Sequence, residues 1–382
     1  MNSAYTYQKT HRYFAQIADG MEGLGILELS SLGATGVKPA YRGLYFSADN
    51  AALYRVNYMS RLCTHILAPL IIFDCHSTDY LYSTARKIDW PSFFDIKQTY
   101  AISSNVSHSI ISHSQYAGQR LNDAIVDTFR DRFGGRPSVD KIIPDIRFNL
   151  HIEKNRAAIY LDTSGGSLHR RGYRKESVDA PMQETLAAAI IRLTEWDGQT
   201  PLYDPMCGSG TLLCEAMMHY CRIPSGYFRR KFGFAFLPDF DSALWNSVKE
   251  EADGKIRELP KGLIAGSDMD RQAIESARAD CDVLPGGNKI SLLQKRFQGI
   301  KNLEGRTIIC NPPYGKRLGS MQDTQLLMKE FGDFLKHRCR GANAYLYFGN
   351  RELIKSVGLR TRWKKALKNG PLDGRLVKYE MY

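Results

Sequence analysis

The sequence predicts an α/β protein with an α+β N-terminal part and a C-terminal part built on a doubly wound, mostly parallel sheet. Beyond residue 200, apolar runs of strand length alternate with segments of helical periodicity, which is typical of a parallel sheet covered by helices. A length of 382 residues suits two or three domains of roughly 150 residues each.

The N-terminal part is predicted to contain two α+β units. In the first, strand-like runs lie at 13–17 and 43–46, and helical patterns at 23–32 and 51–67. The second contains a helix over 118–133 that should stop at the following glycine pair, and then strands at 146–152 and 157–161. A Gly- and Ser-rich stretch with a basic cluster follows at 164–181, as is usual for an exposed connection. We therefore expect domains at 1–67, 68–165 and 166–382.

The elements of the C-terminal part follow from the same patterns. Strands are predicted at 201–203, 263–266, 290–293, 306–310 and 344–348, and helices at 211–221, 271–281 and 324–337. A basic hairpin at 363–382 ends the sequence, with Asn-Gly and Asp-Gly pairs as candidate turns.

The overall composition narrows the classes of partner. Lys and Arg number 52 against 40 Asp and Glu, and the net charge of +12 indicates a polyanionic partner without identifying it. The longest apolar run, 66–73, has only eight residues and contains a proline, so no membrane span is expected. The polar N-terminus lacks a signal-peptide pattern, and eight cysteines without a CxxC pair are typical of reduced thiols. We predict a cytoplasmic protein.

A glycine-rich turn, Asp204 to Thr211, links the first predicted C-terminal strand to its helix. Gly208 and Gly210 allow a ligand to approach the backbone closely. A phosphate-binding loop is disfavoured because Gly-Lys-Ser/Thr is missing and Leu213 occupies the third glycine position of G-x-G-x-x-G. A nucleotide without phosphates, such as S-adenosylmethionine, fits better. Asp204 would meet its ammonium group, and Cys207 belongs to the same loop.

Asp268 follows the next predicted strand, 263–266, and precedes Met269. A carboxylate there can accept hydrogen bonds from ribose hydroxyls. The alternative role is the N-cap of the helix that begins at Arg271. Asp268 comes 64 positions after Asp204 (268 minus 204), whereas the ribose acid of dinucleotide folds comes roughly 20 residues after the glycines. A nicotinamide cofactor is therefore disfavoured unless 224–262 is an insertion.

The tetrad Asn311-Pro312-Pro313-Tyr314 follows another buried strand. Its prolines stop the strand and stiffen the loop, so the Asn311 carboxamide oxygen becomes a rigid acceptor for an aromatic amine. Tyr314 can stack on the base that carries the amine. Because the carboxyl ends of parallel strands share one edge, we expect methyl transfer from the cofactor to a flipped or single-stranded nucleobase amine. The tetrad does not distinguish a guanine from an adenine amine, or RNA from DNA.

No metal site is expected. Cys207, Cys214 and Cys221 recur every seven residues, about 10.5 Å apart on a helix, too far for one ion. His108 and His113 lack a set of partner ligands.

The sequence resembles the bacterial THUMP-domain RNA methyltransferases, the group that contains the large-subunit ribosomal RNA guanine-N2 methyltransferase. The resemblance lies in NYMSRLCTHILAPL (57–70), DAIVD (123–127), DTSGGSLHRRGYRK (162–175), APMQETLAAA (180–189), 204–215 and NPPYGKRL (311–318). It implies a ferredoxin-like unit, a THUMP domain that holds RNA, and a class I methyltransferase domain. The expected RNA-binding residues are Arg170, Arg171, Arg174, Lys175, Arg229, Arg230, Lys316 and Arg317.

One position departs from the family pattern. After the third strand of the methyltransferase sheet the family usually has an acidic residue that meets the adenine amine, and here Arg296 is nearest to that place. Our first hypothesis is a guanine-N2 methyltransferase acting on 23S ribosomal RNA. The alternatives are a tRNA guanine-N2 methyltransferase, a DNA adenine-N6 methyltransferase, and a ribosome-assembly factor that binds RNA without catalysis.

Overall fold

The computed structural model describes residues 4–175, 182–313, 320–368 and 372–382. The chain divides into two compact units. The first unit comprises Met1–Ile17, Gly25–Leu168 and Arg229–Glu250, and the second comprises Ala18–Leu24, His169–Phe228 and Glu251–Tyr382.

The first unit contains an eight-stranded mixed sheet. Its strands are β1 (Arg12–Ile17), β2 (Thr35–Ala40), β3 (Gly43–Ser47), β4 (Cys63–Asp74), β5 (Thr99–Ser107), β6 (Ser138–Val139), β7 (Ile146–Glu153) and β8 (Arg156–Asp162). They lie in the order β2-β3-β1-β4-β8-β7-β5-β6. The helices of this part of the sequence are α1 (Thr6–Thr10), α2 (Glu22–Ser31), α3 (Asn50–Met59), α4 (Thr78–Ala85) and α5 (Ser114–Phe133).

The predicted helix at 51–67 is wrong in its second half. Helix α3 ends at Met59, where Ser60 turns to extended geometry (φ −63°, ψ 125°), and β4 begins at Cys63. The apolar run is drawn into the sheet because β4 pairs with β1 on one side and with β8 on the other. Pro69 is accommodated at a register shift. Strand β4 therefore passes through the proposed boundary at 67/68, and the division into three domains stays a proposal.

The second unit contains a seven-stranded sheet. Its strands are β9 (Leu202–Asp204), β10 (Ile264–Asp268), β11 (Ser291–Gln294), β12 (Thr307–Cys310), β13 (Asn343–Phe348), β14 (Trp363–Ala366) and β15 (Arg375–Glu380), in the order β11-β10-β9-β12-β13-β15-β14. The first five of that order are parallel, and β15 is antiparallel to β13 and β14. The predicted doubly wound, mostly parallel sheet is confirmed.

Five α-helices follow in the described part of the sequence: α6 (Glu184–Thr194), α7 (Thr211–Cys221), α8 (Ser242–Asp253), α9 (Arg271–Cys281) and α10 (Met321–Arg338). Most of α8 belongs to the first unit, and the other four belong to the second. Helix α10 packs through Phe331 and Phe334 on Phe297, in a core shared with β12 and β13. This packing fixes α10 beside the carboxyl end of β12. Within the described ranges, no helix is both long and apolar enough to cross a membrane.

The segment Arg229–Glu250 lies between α7 and β10 in sequence but belongs to the first unit. This segment accounts for 22 of the 64 positions between Asp204 and Asp268, which leaves 42 (64 minus 22) within the second unit. Only part of the range 224–262 is therefore an insertion, and the remaining spacing is still longer than the roughly 20 residues of dinucleotide folds. The spacing continues to disfavour a nicotinamide cofactor.

Candidate active site

A cleft of about 1150 Å³ opens at the carboxyl ends of the parallel strands in the second unit. The strand order reverses between β9 and β12, and the crevice at such a reversal is where open α/β sheets bind ligands. Asp204, Gly208, Asp268, Asn311 and Pro313 all line the cleft. The structure thus brings together the three loops that the sequence predicts to converge.

The two glycines of the turn after β9 have different roles. Both have positive φ, 53° at Gly208 and 78° at Gly210. A Cβ atom on Gly208 would meet nothing within 4 Å, whereas one on Gly210 would lie 3.1 Å from the Cβ of Ala277. Gly208 therefore leaves open space on the ligand side, and Gly210, which is not a lining residue, lets α7 approach α9. Cys207 and Thr211 are buried and border the cleft.

Asp268 connects the loops that follow β9 and β10. Its Oδ2 accepts from the backbone N–H of Gly208 over 2.9 Å, and its Oδ1 accepts from that of Asp270 over 3.0 Å. The N-cap of α9 is Asp270, whose side chain accepts from the backbone N–H of Gln272 over 2.9 Å. The alternative role of Asp268 as a cap is therefore wrong. Met269 is exposed at the rim of the cleft.

Asp204 is almost fully buried, and its Oδ1 accepts from the backbone N–H of Met206 over 3.1 Å. Burial raises the pKa of Asp204 to about 8; the bond from Met206 opposes this rise, and the charge of Asp268 adds to it. A cation in the cleft would restore the carboxylate, since an opposite charge favours the ionised form. This property suits a side chain that meets an ammonium group.

The Asn311 side chain presents an unused acceptor to the cleft. Its Oδ1 is buried and has no hydrogen-bond partner among the residues that the structure describes. Buried polar atoms are nearly always paired, so an orphan acceptor in a cleft calls for a donor from a ligand. Pro313 lines the cleft, and Pro312 is buried behind it. Tyr314, Lys316 and Arg317 lie outside the described residues.

The wall next to β11 contains residues that sequence reasoning missed. Phe297 and Gln298 follow β11, and Glu330 on α10 accepts from Gln298 Nε2 over 2.9 Å. Phe297 and Gln298 could have been found, because they follow a strand of the same sheet edge. Glu330 could not, because its place depends on how α10 packs. Arg296 is exposed and lines this wall, as its position after the strand predicts.

S-adenosylmethionine fits this set of residues. Asp204 and the open face of Gly208 would hold its amino-acid portion, Asp268 would meet the ribose hydroxyls, and the wall with Phe297 would receive the adenine. The orphaned Asn311 acceptor is left for a second ligand that donates an N–H. Among the described residues, no group of three His, Cys, Asp or Glu side chains has the arrangement of a metal site.

Two of the predicted RNA-binding arginines have internal partners instead. The Arg171 side chain has no solvent exposure, and its Nε donates to Glu215 Oε1 over 3.2 Å in a buried ion pair. Arg174 donates from Nη2 to Thr211 Oγ1 over 3.1 Å and forms an ion pair with Glu184 at 3.1 Å. An RNA contact does not fit Arg171, and Arg174 supports the glycine turn. Sequence reveals the charge of such residues but not their buried partners.

The other predicted RNA-binding residues differ in exposure. Arg170, Lys175 and Arg230 are exposed. Arg229 is partly buried and donates to the backbone of the loop after β8. An RNA contact for these four residues stays a proposal.

Three family models match consecutive parts of the chain. Residues 12–67 match an RlmL ferredoxin-like domain, residues 75–162 match a THUMP domain, and residues 171–378 match an RMKL-like methyltransferase domain. The resemblance inferred from the sequence motifs is thereby confirmed.

Two curated relatives extend over nearly the whole chain. The slr0064 protein of Synechocystis sp., provisionally named an RNA methyltransferase, is 40% identical over 98% of this chain and 97% of its own length. The ribosomal RNA large subunit methyltransferase K/L of Syntrophotalea carbinolica is 35% identical over 97% of this chain. The match covers only 53% of that longer protein.

Solved structures agree with the fold. SMU.472, provisionally described as a methyltransferase and solved in complex with SAH, superposes with a TM-score of 0.85 at 27% identity, covering 98% of both chains. TrmN from Thermus thermophilus superposes with a TM-score of 0.69 at 17% identity, covering 97% of this chain and 99% of its own, and so shares the fold. With the methyltransferase-domain match and the fit of the cleft, the predicted cofactor is confirmed. The chain belongs to the family of THUMP-domain proteins with an RMKL-like methyltransferase domain, and it is an S-adenosylmethionine-dependent methyltransferase.

Proposed function

We propose that the chain transfers a methyl group from S-adenosylmethionine to the exocyclic N2 amine of a guanine in RNA, with 23S ribosomal RNA as the substrate. One observation carries this proposal. The Asn311 Oδ1 atom is buried, has no partner among the described residues, and borders the same cleft as Asp204 and Asp268. An acceptor at this place selects a ligand that brings an N–H group.

Asn311 acts by orientation. When bound, the cofactor supplies an electrophilic methyl group on a positively charged sulfur. Asn311 Oδ1 accepts one N–H of the guanine amine and so directs the nitrogen lone pair into the cleft, and Pro313 stiffens the loop and excludes water. A new N–C bond forms as the S–C bond breaks. The methylated nitrogen then loses a proton to solvent, because a cationic aryl ammonium is strongly acidic.

Three observations support RNA as the substrate. Residues 75–162 match a THUMP domain, the chain carries a net charge of +12, and both curated relatives are named as RNA methyltransferases. The sequence resemblance favours guanine N2 over adenine N6. We further propose that residues 1–67 and 68–165 select the RNA, that residues 166–382 perform the chemistry, and that the protein works in the cytoplasm on ribosomal RNA or an assembly particle.

Nucleoside mass spectrometry of ribosomal RNA tests the substrate. A strain lacking the gene should lose N2-methylguanosine from 23S RNA, and a wild-type copy should restore it while an Asn311→Ala copy should not. An unchanged amount of N2-methylguanosine in the deletion strain would refute the substrate. Loss of the nucleoside from tRNA, or of N6-methyladenosine from DNA, would assign the corresponding alternative.

Calorimetry separates the enzyme from a non-catalytic assembly factor. S-adenosylmethionine titrated into the purified protein should bind at a single site. If S-adenosylmethionine does not bind, either with or without ribosomal RNA, the enzyme is ruled out and the non-catalytic assembly factor is favoured.

A further inference from the structure

Two arginine side chains of the first unit flank Gly166, in the loop after β8. An ideal Cβ atom on Gly166 would lie 3.5 Å from Arg147 Nε and 3.9 Å from Arg229 Nη1. Gly166 has a φ of 125°, which residues with a side chain rarely adopt. The space that a side chain would fill is therefore bordered by nitrogen atoms of two cationic groups.

Arg147, on β7, retains an unused donor. Its Nη2 donates to the carbonyl oxygen of Ile142 over 3.0 Å, but its Nε is buried and has no hydrogen-bond partner among the residues that the structure describes. The nearby acid Asp140 accepts two backbone N–H bonds, which lower its pKa most, and the charge of Arg147 lowers it further. No described acidic side chain lies within ion-pair distance of Arg147. A buried donor of this kind calls for an external acceptor.

The insertion between α7 and β10 contributes the second arginine. Gly233 packs so closely that a Cβ atom on it would lie 1.9 Å from the carbonyl oxygen of Asp162. Arg229 donates to the carbonyl oxygens of Ser164, over 3.2 Å, and Ser167, over 2.7 Å. These bonds fix the guanidinium beside the loop.

Lys231, in the same segment as Arg229, forms an ion pair. Lys231 Nζ lies 2.9 Å from Asp145 Oδ1 and 4.7 Å from the centre of the Phe236 ring. Lys231 and Asp145 therefore offset each other. The unused donor beside Gly166 therefore comes from Arg147.

We propose that the Gly166 loop, with Arg147 and Arg229 on either side, binds a backbone phosphate of the substrate RNA. Guanidinium groups suit this role because they donate to phosphate oxygens in a fixed, directional geometry. The Arg147 Nε–H, at the border of the space beside Gly166, would donate to a phosphate oxygen. The site rests on the proposed RNA substrate, and it lies in the first unit, whereas the residues that hold the cofactor lie in the second.

The salt dependence of RNA binding tests this site. Binding of a short fluorescein-labelled single-stranded RNA is followed by fluorescence anisotropy for the full chain and for Arg147→Gln, across about 50 to 200 mM salt. We expect Arg147→Gln to bind about tenfold more weakly at low salt, the loss usual for one charge-assisted hydrogen bond. The slope of log Kd against log salt should fall by about 0.7, the value for one phosphate of a single strand.

Two further variants make the test specific. Arg156→Gln removes the same charge from an exposed position at the opposite end of β8, about 20 Å away at 3.3 Å per residue, and should leave the slope unchanged. Arg147→Lys keeps the charge but not the Nε donor, so it should keep the slope and lose part of the affinity. A slope for Arg147→Gln equal to that of the wild type and of Arg156→Gln would overturn the site.

Calorimetry and methyl transfer distinguish the remaining outcomes. We expect that inorganic phosphate, titrated alone, shows no binding that depends on Arg147. If phosphate binds the wild type but not Arg147→Gln, and the salt dependence of RNA binding is the same for both, the site binds a free anion and the proposal is overturned. Methyl transfer to ribosomal RNA is measured on the same proteins. If methyl transfer occurs but the slope of log Kd against log salt is the same for Arg147→Gln and the wild type, only the phosphate site is refuted. If the slope falls in Arg147→Gln but the wild type transfers no methyl group, the site is supported and the proposed function is refuted.

Discussion

The backbone N–H of Gly208 donates to Asp268 Oδ2 over 2.9 Å. This hydrogen bond joins the turn after β9 to the end of β10, while Oδ1 of the same carboxylate holds the backbone of Asp270. Both of these loops, which line the cleft, are thus tied to one side chain. Asp268 therefore helps to fix the shape of this part of the cleft.

Removal of the Asp268 carboxylate should weaken cofactor binding. We expect the Kd for S-adenosylhomocysteine, measured by calorimetry, to rise about tenfold in Asp268→Asn and about 100-fold in Asp268→Ala, since hydrogen bonds to charged groups contribute about 1.5–3 kcal/mol each. Asp270→Asn is the matched control, because asparagine caps helices as well as aspartate does. Binding by Asp268→Ala within twofold of the wild type would contradict this role.

Arg174 should support the cofactor loop more than it supports RNA binding. In Arg174→Met, Thr211 loses its donor and Glu184 loses its ion-pair partner. We expect the free energy of unfolding to fall by about 2 kcal/mol and the Kd for S-adenosylhomocysteine to rise about tenfold. Arg170→Met, at an exposed neighbour, should change neither. If Arg174→Met weakens RNA binding but changes neither the stability nor the binding of S-adenosylhomocysteine, Arg174 is an RNA-binding residue, as the sequence predicts.

Asp204 should make the stability of the free protein fall as pH rises. Its pKa is about 8 in the folded chain against an ordinary value of 3.8, so the folded state holds a proton that the unfolded state has lost. The contribution of Asp204 to the free energy of unfolding is therefore greatest below about pH 4 and declines as the pH rises to about 8. Between pH 6 and pH 8 the wild type should lose about 2 kcal/mol relative to Asp204→Asn, measured by denaturant unfolding. Parallel pH profiles of the two proteins would show that Asp204 is already ionised.

Arg296 should limit cofactor affinity. It lines the wall where the adenine is expected, and a guanidinium cannot accept a hydrogen bond from the adenine amine. Arg296→Asp should bind S-adenosylhomocysteine about tenfold more tightly, as one added charged hydrogen bond would. The gain should vanish with S-inosylhomocysteine, which lacks the amine. Equal or weaker binding of S-adenosylhomocysteine by Arg296→Asp would place the adenine elsewhere.

The sequence predicted the helices that carry the cofactor loops because their ends are encoded locally. Helices α7 and α9 begin and end at the predicted residues, after a glycine turn in one case and after Asp270 in the other. The second half of the predicted helix at 51–67 failed, because apolar runs suit helix and strand alike and only pairing with β1 and β8 decides between them.

The cleft was predictable only where its residues follow strands. Asp204, Asp268 and Asn311 each stand at or next to a strand end, so the shared edge of a parallel sheet brings them together. Glu330 borders the cleft through the packing of α10. Arg171 is neutralised by Glu215, 44 positions away, which no local pattern indicates.

The central claim is that Asn311 presents a guanine amine to the cofactor. The most direct test incubates the purified chain with ribosomal RNA and S-adenosylmethionine that carries a labelled methyl group, and then identifies the labelled nucleoside by mass spectrometry. We expect label in N2-methylguanosine with the wild type and none with Asn311→Ala, although both should bind S-adenosylhomocysteine with similar affinity. Label in N6-methyladenosine, or unchanged labelling by Asn311→Ala, would contradict the claim.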